Sequence, residues 1–217
     1  VRAYQIIDVP QRSDAWLAAR CGRLGASDAA SMLATVRSGE AAARRDLRVK
    51  LAIERLVGQP LENGYVNADM ERGIALEADA RAAYEAKTGD LVREVGYLSH
   101  TDLLAGCSPD GVLGDMEALI EIKSPRAANH YQYLKDGVVP PGYIPQVTHL
   151  LWLSGAAHCD FVSFCPQFPA PLHLFVVRHQ RDEKAIAAYA LAAGLFLHEV
   201  ETEYEGMAAM RATMAAG

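Results

Sequence analysis

The stretch CSPDGVLGDMEALIEIKSP, Cys107 to Pro125, holds the residues best suited to chemistry. Asp110 sits in a Ser-Pro-Asp-Gly turn, and 11 residues later Glu121 and Lys123 flank Ile122. Alternate residues of a strand share a face, so Glu121 and Lys123 point the same way. Leu119, Ile120 and Ile122 are apolar, which predicts a largely buried strand. A carboxylate and an ammonium there cost on the order of several kcal/mol unless paired or bound to a metal. Asp110 and Glu121 offer hard oxygen ligands that suit Mg²⁺, with Mn²⁺ as a substitute. Such an ion polarises a scissile phosphate and acidifies a bound water, while Lys123 can orient that water or offset charge on the phosphorane. The chemistry would be phosphodiester hydrolysis. The same residues could also form a plain salt bridge across a hairpin, and spacing alone leaves both readings open.

Two neighbours bear on the choice. Glu77, in ERGIALEADARAAYE, shares a helix face with Ile74, Arg81 and Tyr84. That places it either in the site, as a further metal or water ligand, or on the surface paired with Arg81. Gln146 begins the run QVTHLLWL and could bind the nucleophilic water or a phosphate.

The elements that position these residues read as helices, then a meander of strands, then a helix, two strands and a last helix. Ser13 predicts an N-cap for Asp14 to Arg20, with Gly22 ending the helix, and Ser27 a cap for SDAASMLA. Longer helices are expected from Glu40 to Val57 and from Asn67 to Lys87. Leu91 to Leu98, Leu103 to Cys107, Gly111 to Leu113 and Ala118 to Ile122 are short runs between Gly, Pro, Asp and Ser, as strands are. A helix over Ile144 to Ser154 and strands over Cys159 to Phe164 and Leu172 to Val177 follow. The chain closes on a helix from Asp182 to Met214 with an apolar stripe at three-and-four spacing. This order predicts a mixed α/β fold, with residues 1–217 as a single domain ending in a long helix.

The 217 residues are 51% hydrophobic and 22% charged, an ordinary globular composition. No apolar run is of bilayer length, and VRAYQIIDVPQRSD lacks the basic and apolar regions of a secretory signal. These features predict a cytoplasmic protein that does not enter a membrane. Cys21, Cys107, Cys159 and Cys165 show no zinc spacing and no grouping for an iron–sulfur cluster, so reduced thiols are expected. The net charge of −6 argues mildly against a nucleic-acid partner. Yet the first fifty residues are rich in arginine, while Glu199, Glu201, Glu203 and Glu205 cluster near the end. A basic face opposite an acidic one is compatible with DNA binding.

Four blocks carry a resemblance, in order: WLAARCGRLGASD from Trp16 to Asp28, GIALE from Gly73 to Glu77, SPDG…EIKSP, and YIPQVTHLLW. Together they resemble the YqaJ-like viral recombinase nucleases, the phage-type alkaline exonucleases typified by lambda exonuclease, within the PD-(D/E)xK superfamily. The resemblance implies a restriction-endonuclease-like fold, a mixed central sheet flanked by helices. It implies Lys123, Glu121, Asp110, Glu77 and Gln146 as catalytic residues. Asp110, Glu121 and the backbone carbonyl of Ile122 would bind Mg²⁺, and Glu77 a second metal or water. Arg20, Ser27, Ser108 and Gln146 would surround a 5′-terminal phosphate, Arg37 would reach the DNA ahead of the site, and Met70 would wedge the strands apart. The implied activity is 5′→3′ digestion of one strand of linear duplex DNA, leaving a 3′ overhang for a single-strand annealing partner. A homotrimeric ring with a basic channel, encoded by a phage or prophage and working in the bacterial cytoplasm, is implied with it. An endonuclease or bidirectional exonuclease of CRISPR-associated or RecB-like kind, and a catalytically silent DNA-binding protein, are the competing readings.

Overall fold

A computed structural model describes residues 3–61 and 68–216. Strand β1 (Tyr4–Ile7) leads into helix α1 (Asp14–Arg20), a 3-10 turn at Ala26–Asp28, then α2 (Ala29–Met32), α3 (Ala42–Val57) and α4 (Ala68–Thr88). Strands β2 (Tyr97–His100), β3 (Gly106–Cys107), β4 (Gly111–Leu113) and β5 (Ala118–Lys123) follow. The chain continues through α5 (Ala127–Asp136), α6 (Ile144–Ser154), β6 (His158–Phe164), β7 (Leu174–Gln180) and α7 (Glu183–Ala215). No helix among the described residues is long and apolar enough to cross a membrane. All four cysteines are free thiols.

The strands hydrogen-bond as two sheets rather than one. An antiparallel sheet runs β1-β2-β3, and a mixed sheet runs β4-β5-β6-β7 with β5 and β6 parallel. In the mixed sheet Glu121 lies beside Phe161 and Ile120 beside Asp160. Alternation then divides the core. Leu119 and Cys159 join a large cluster with Leu51, Leu150 and Phe196 of α3, α6 and α7. Ala118, Ile120, Ile122 and Val162 face the other way, against Ala80 and Tyr84 of α4. Both faces of β5 are therefore covered, which explains its unbroken apolar run.

Several expectations shift. Ser27 is not an N-cap: Gly25 caps the 3-10 turn, Asp28 accepts from its backbone N–H at 3.1 Å, and Ser27 sits exposed within the turn. Helix α3 starts at Ala42, not Glu40. The expected start of α4 at Asn67 lies outside the described residues. Of Leu91 to Leu98 only the end forms a strand, with Arg93 making an isolated pairing to Val112. Strand β1 and helix α5 were not foreseen. The basic and acidic segments do not form opposite faces. Helices α3 and α7 pack together, and Arg44, Arg48 and Arg55 pair with Glu199, Glu203 and Glu201 along the seam.

Candidate active site

Asp110 is placed by its turn. Gly111 allows the β4 backbone to press against β5, since a Cβ there would meet Val92 and come within 2.9 Å of the Ile120 side chain. Antiparallel pairing of Gly111 with Ile120 then sets Asp110 beside the end of β5, where its Oδ2 accepts from the Ile122 backbone N–H at 2.6 Å. Burial raises the Asp110 pKa well above the ordinary carboxylate range, and the nearby charge of Glu121 raises it further. Two carboxylates held this close favour either a shared proton or a bound cation.

Glu121 and Lys123 do share a face, as the strand alternation predicts. Lys123 Nζ lies 2.6 Å from Glu121 Oε1, and the Glu121 side chain is only 3% exposed against 25% for Lys123. Gln146, in the first turn of α6, donates through Nε2 to the same oxygen at 2.5 Å. Burial works against the charge on Lys123, but Glu121 and Asp110 outweigh it and its pKa is raised. Lys123 is thus an ammonium at any physiological pH, a donor and cation rather than a base. The Tyr143 ring lies 5.1 Å from its Nζ.

A cavity of about 810 Å³ opens over these groups, lined by Asp110, Ile122 and Lys123 on the sheet side. Glu77 and Met70 of α4 line it too, as does Arg20 of α1. Glu77 lines the cavity and is ion-paired, to Arg81 at 2.9 Å as its spacing allowed and to Arg12, which it did not foretell. Arg20 stacks over Trp16 with its guanidinium carbon 4.0 Å from the ring centre. Trp16 in turn donates through Nε1 to Ser108 Oγ at 2.8 Å, so one indole joins α1 to the turn carrying Asp110. Ser27 Oγ and an Arg20 nitrogen lie 3.9 and 3.8 Å from the position a Gly25 Cβ would take, so both side chains border Gly25. Arg37 is exposed in the bend between α2 and α3 and does not line the cavity.

Sequence reasoning gave no role to Arg12, Trp16, Arg72, Arg126 or Tyr143, all of which line the cavity. Arg12 carries a signal visible only in the backbone, a φ of 69° that is strained for a residue with a side chain. Gln11 holds it there by donating to the carbonyl oxygens of Val95 and Pro109, at 3.2 and 3.1 Å.

Residues 15–157 match the model of the YqaJ-like viral recombinase domain. The chain belongs to that family. This YqaJ-like protein resembles the crystal structure of an alkaline exonuclease from Laribacter hongkongensis, at 36% identity and a TM-score of 0.83, over 93% of this chain and 100% of that one. The structure of that exonuclease in complex with dAMP matches at a TM-score of 0.85, with the same identity and coverage. A phage-related exonuclease from Haemophilus somnus 129PT shares the fold alone, at 13% identity and a TM-score of 0.68 over 85% of this chain and 96% of that one. Curated protein sequences yield no match. The fold of the YqaJ-like chain is the restriction-endonuclease-like α/β fold of the alkaline exonuclease, and the family supports a nuclease function on DNA.

Among the described residues, no three His, Cys, Asp or Glu side chains converge as a metal cage. The donors at hand are two hard carboxylates, Asp110 lining the cavity and Glu121 buried beside Lys123. That set fits Mg²⁺, which keeps several waters and takes only one or two carboxylates from protein.

Proposed function

We propose that this protein is a metal-dependent 5′→3′ exonuclease that degrades one strand of linear duplex DNA from 5′-phosphorylated ends. The observation that carries the reading is that Asp110 and Lys123 line a cavity that also takes in Arg20, with the buried Glu121 carboxylate 2.6 Å from Lys123 Nζ. Asp110, Glu121 and the Ile122 carbonyl would hold Mg²⁺, or Mn²⁺ in its place, with Glu77 near enough to bind a water or second ion once released from Arg12. When bound, the ion supplies Lewis-acid charge to the scissile phosphate and a more acidic water.

The chain's own residues do the rest. Lys123, held protonated by its carboxylate neighbours, donates to the phosphate as negative charge builds on it. Gln146 fixes the Glu121 carboxylate and orients a water beside it. Arg20, braced on Trp16, supplies a planar guanidinium that fits a terminal phosphate, with Ser27 and Ser108 as hydroxyl partners. Met70, exposed at the cavity mouth, serves as the wedge between strands, and Arg37 contacts DNA farther out. The chain acts as one nuclease unit in a homotrimeric ring, passing 3′ overhangs to a single-strand annealing protein during phage-type recombination in a bacterial cytoplasm.

Magnesium-dependent digestion of three DNAs tests the reading: linear duplex with a 5′-phosphate, the same with a 5′-hydroxyl, and a covalently closed circle. Fast loss of the first, slower loss of the second and survival of the circle is the expected result. Nicking of the circle would replace exonuclease by endonuclease, and survival of all three would overturn catalysis altogether.

A further inference from the structure

The polar groups between Lys123 and α5 are not used by the mechanism above. Ser124 follows Lys123 directly, is 9% exposed and lines the cavity, and its hydroxyl finds no hydrogen-bond partner among the described residues. A buried hydroxyl left unpaired costs about 1–3 kcal/mol, so it calls for an acceptor. Helix α5 begins three residues on, and its N-cap, Arg126, makes no side-chain capping hydrogen bond to the first turn. The first α5 amides to find a carbonyl are those of Asn129 and His130, both on Arg126. The amides of Ala127 and Ala128, ahead of them, are left as donors at the positive end of the helix.

Two guanidiniums border the same spot. Arg72 donates through Nε to the Ser124 carbonyl at 3.2 Å, and Arg72 and Arg126 both donate to Asp69 Oδ1, at 2.8 and 3.0 Å. One carboxylate thus holds two cations together and leaves a net positive charge. Arg72, Pro125 and Arg126 also border a second cavity of about 440 Å³, whose far wall includes Leu76, Pro166 and Gln167. Donors and surplus charge meet an apolar slot with an amide at its edge. Phosphate matches the first and a nucleobase the second.

We propose that Ser124, Arg72, Arg126 and the N-terminus of α5 form a nucleotide-phosphate subsite, with the adjoining apolar cavity taking the base. The proposal rests on the nuclease reading and adds a second phosphate position to the one at Arg20. The phosphate belongs either to a nucleotide still in the strand or to the released monophosphate.

Binding of dAMP, of deoxyadenosine and of a 5′-hydroxyl tetradeoxyadenylate is measured by calorimetry in EDTA, which prevents hydrolysis. Arg20→Ala serves as the reference, because it removes the phosphate pocket on α1 from the measurement. Arg20→Ala is expected to keep binding a phosphate-bearing probe, and adding Arg126→Gln to weaken it about tenfold. Adding Ser124→Ala instead should weaken it about threefold. Deoxyadenosine, lacking phosphate, should bind weakly and equally throughout. If dAMP shows the losses the occupant is the released monophosphate; if only the tetranucleotide shows them, it is a strand phosphate; either supports the subsite. Loss of all binding on Arg20→Ala alone, or equal affinities with and without Arg126→Gln, would overturn it. Without ligand, Ser124→Ala should unfold no earlier than wild type, since no hydrogen bond is removed; earlier unfolding would sink the role given to its hydroxyl. Magnesium-dependent digestion by the wild type, run in parallel, reports on the nuclease reading alone: no digestion with the dAMP pattern intact removes that reading and leaves the subsite.

Discussion

Asp160 on β6 and Asp110 at the head of β4 belong to one four-stranded sheet, and their surroundings pull them in opposite directions. Burial would raise the Asp160 pKa, but Arg178 and Tyr84 both donate to its carboxylate, at 2.8 Å each at the shortest, and the pKa falls. Among the described residues Asp110 has one backbone donor and no cation within ion-pair distance, and burial, with Glu121 beside it, drives the pKa up. Register puts Asp160 and Glu121 on different faces of the sheet, since Asp160 pairs with Ile120 and Glu121 with Phe161. On the α4 face a buried carboxylate is fully answered and contributes to the fold. On the other, carboxylates are left in excess of what Lys123 can neutralise, and a divalent cation would offset that excess.

The sharpest way to break this comparison is to remove the cation from the unfinished side. Lys123→Ala is expected to lower cleavage by about 10³-fold or more while leaving DNA binding within twofold or so. Single-turnover digestion of 5′-phosphorylated duplex, read beside a binding curve in EDTA, would separate the two effects. Retained turnover would reduce Lys123 to the salt-bridge partner that spacing alone also allowed.

The two aspartates can then be set against each other by neutral replacement. Asp160→Asn leaves Arg178, whose side chain is 48% exposed, without its charged partner, and since water solvates the remaining cation a loss of about 1 kcal/mol is expected. Asp110→Asn keeps the acceptor for the Ile122 amide and removes the repulsion, so the metal-free protein should gain stability at pH 8, by roughly 3 °C per kcal/mol relieved. The signs differ with pH as well. A lowered pKa makes Asp160 stabilising above the ordinary carboxylate range, and that contribution fades as pH falls through its folded value. A raised pKa makes Asp110 costly above its folded value and harmless once protonated, so the gain from Asp110→Asn should shrink on acidification. Unfolding midpoints between pH 4 and pH 8 in EDTA would show whether the two variants diverge; parallel curves would dissolve the distinction.

What could be read in advance follows the range of the forces involved. Helices α1, α6 and α7 carry local signals: Ser13 accepting from Trp16, Gly155 in the left-handed turn after α6, Asp182 accepting from Lys184 and Ala185. The alternation of β5 placed Glu121 and Lys123 on one side with no help from tertiary structure. Strand β1 left no such trace, because its four residues are held by β2, far away in sequence, from Tyr4 on His100 to Ile7 on Tyr97. Helix α5 lacks a side-chain cap, and its mixture of Ala, Asn, His and Tyr gives no clear stripe. The arginines suffered most. Arg44 and Arg48, part of the basic first fifty residues whose charge is compatible with DNA binding, are occupied by the glutamates of α7, whereas Arg12 and Arg72 reach the cavity through contacts that no local pattern encodes.

Arg20 tests how far the unfinished side extends. Its guanidinium rests on Trp16, which is tied to Ser108 two residues before Asp110, so Arg20 and the turn carrying Asp110 share one support. Arg20→Ala should cut the preference for a 5′-phosphate over a 5′-hydroxyl by about tenfold to a hundredfold, the worth of a charge-assisted hydrogen bond. Rates on the 5′-hydroxyl substrate should change far less. An unchanged preference would separate Arg20 from phosphate recognition.

The smallest effect is expected where cations are most numerous. Arg48 reaches Glu40, Glu199 and Glu203 on the α3–α7 seam, and Glu199 and Glu203 remain more than a third exposed. Water screens such pairs, and Arg48→Ala should cost no more than about 1 kcal/mol, less at high salt. Cleavage should be unaffected, because the seam shares no residue with the cavity over Asp110. Denaturant midpoints at low and high salt, with a digestion rate beside them, would check both points. A loss of activity without a loss of stability would mean that this seam, which looks complete in itself, also takes part in holding DNA.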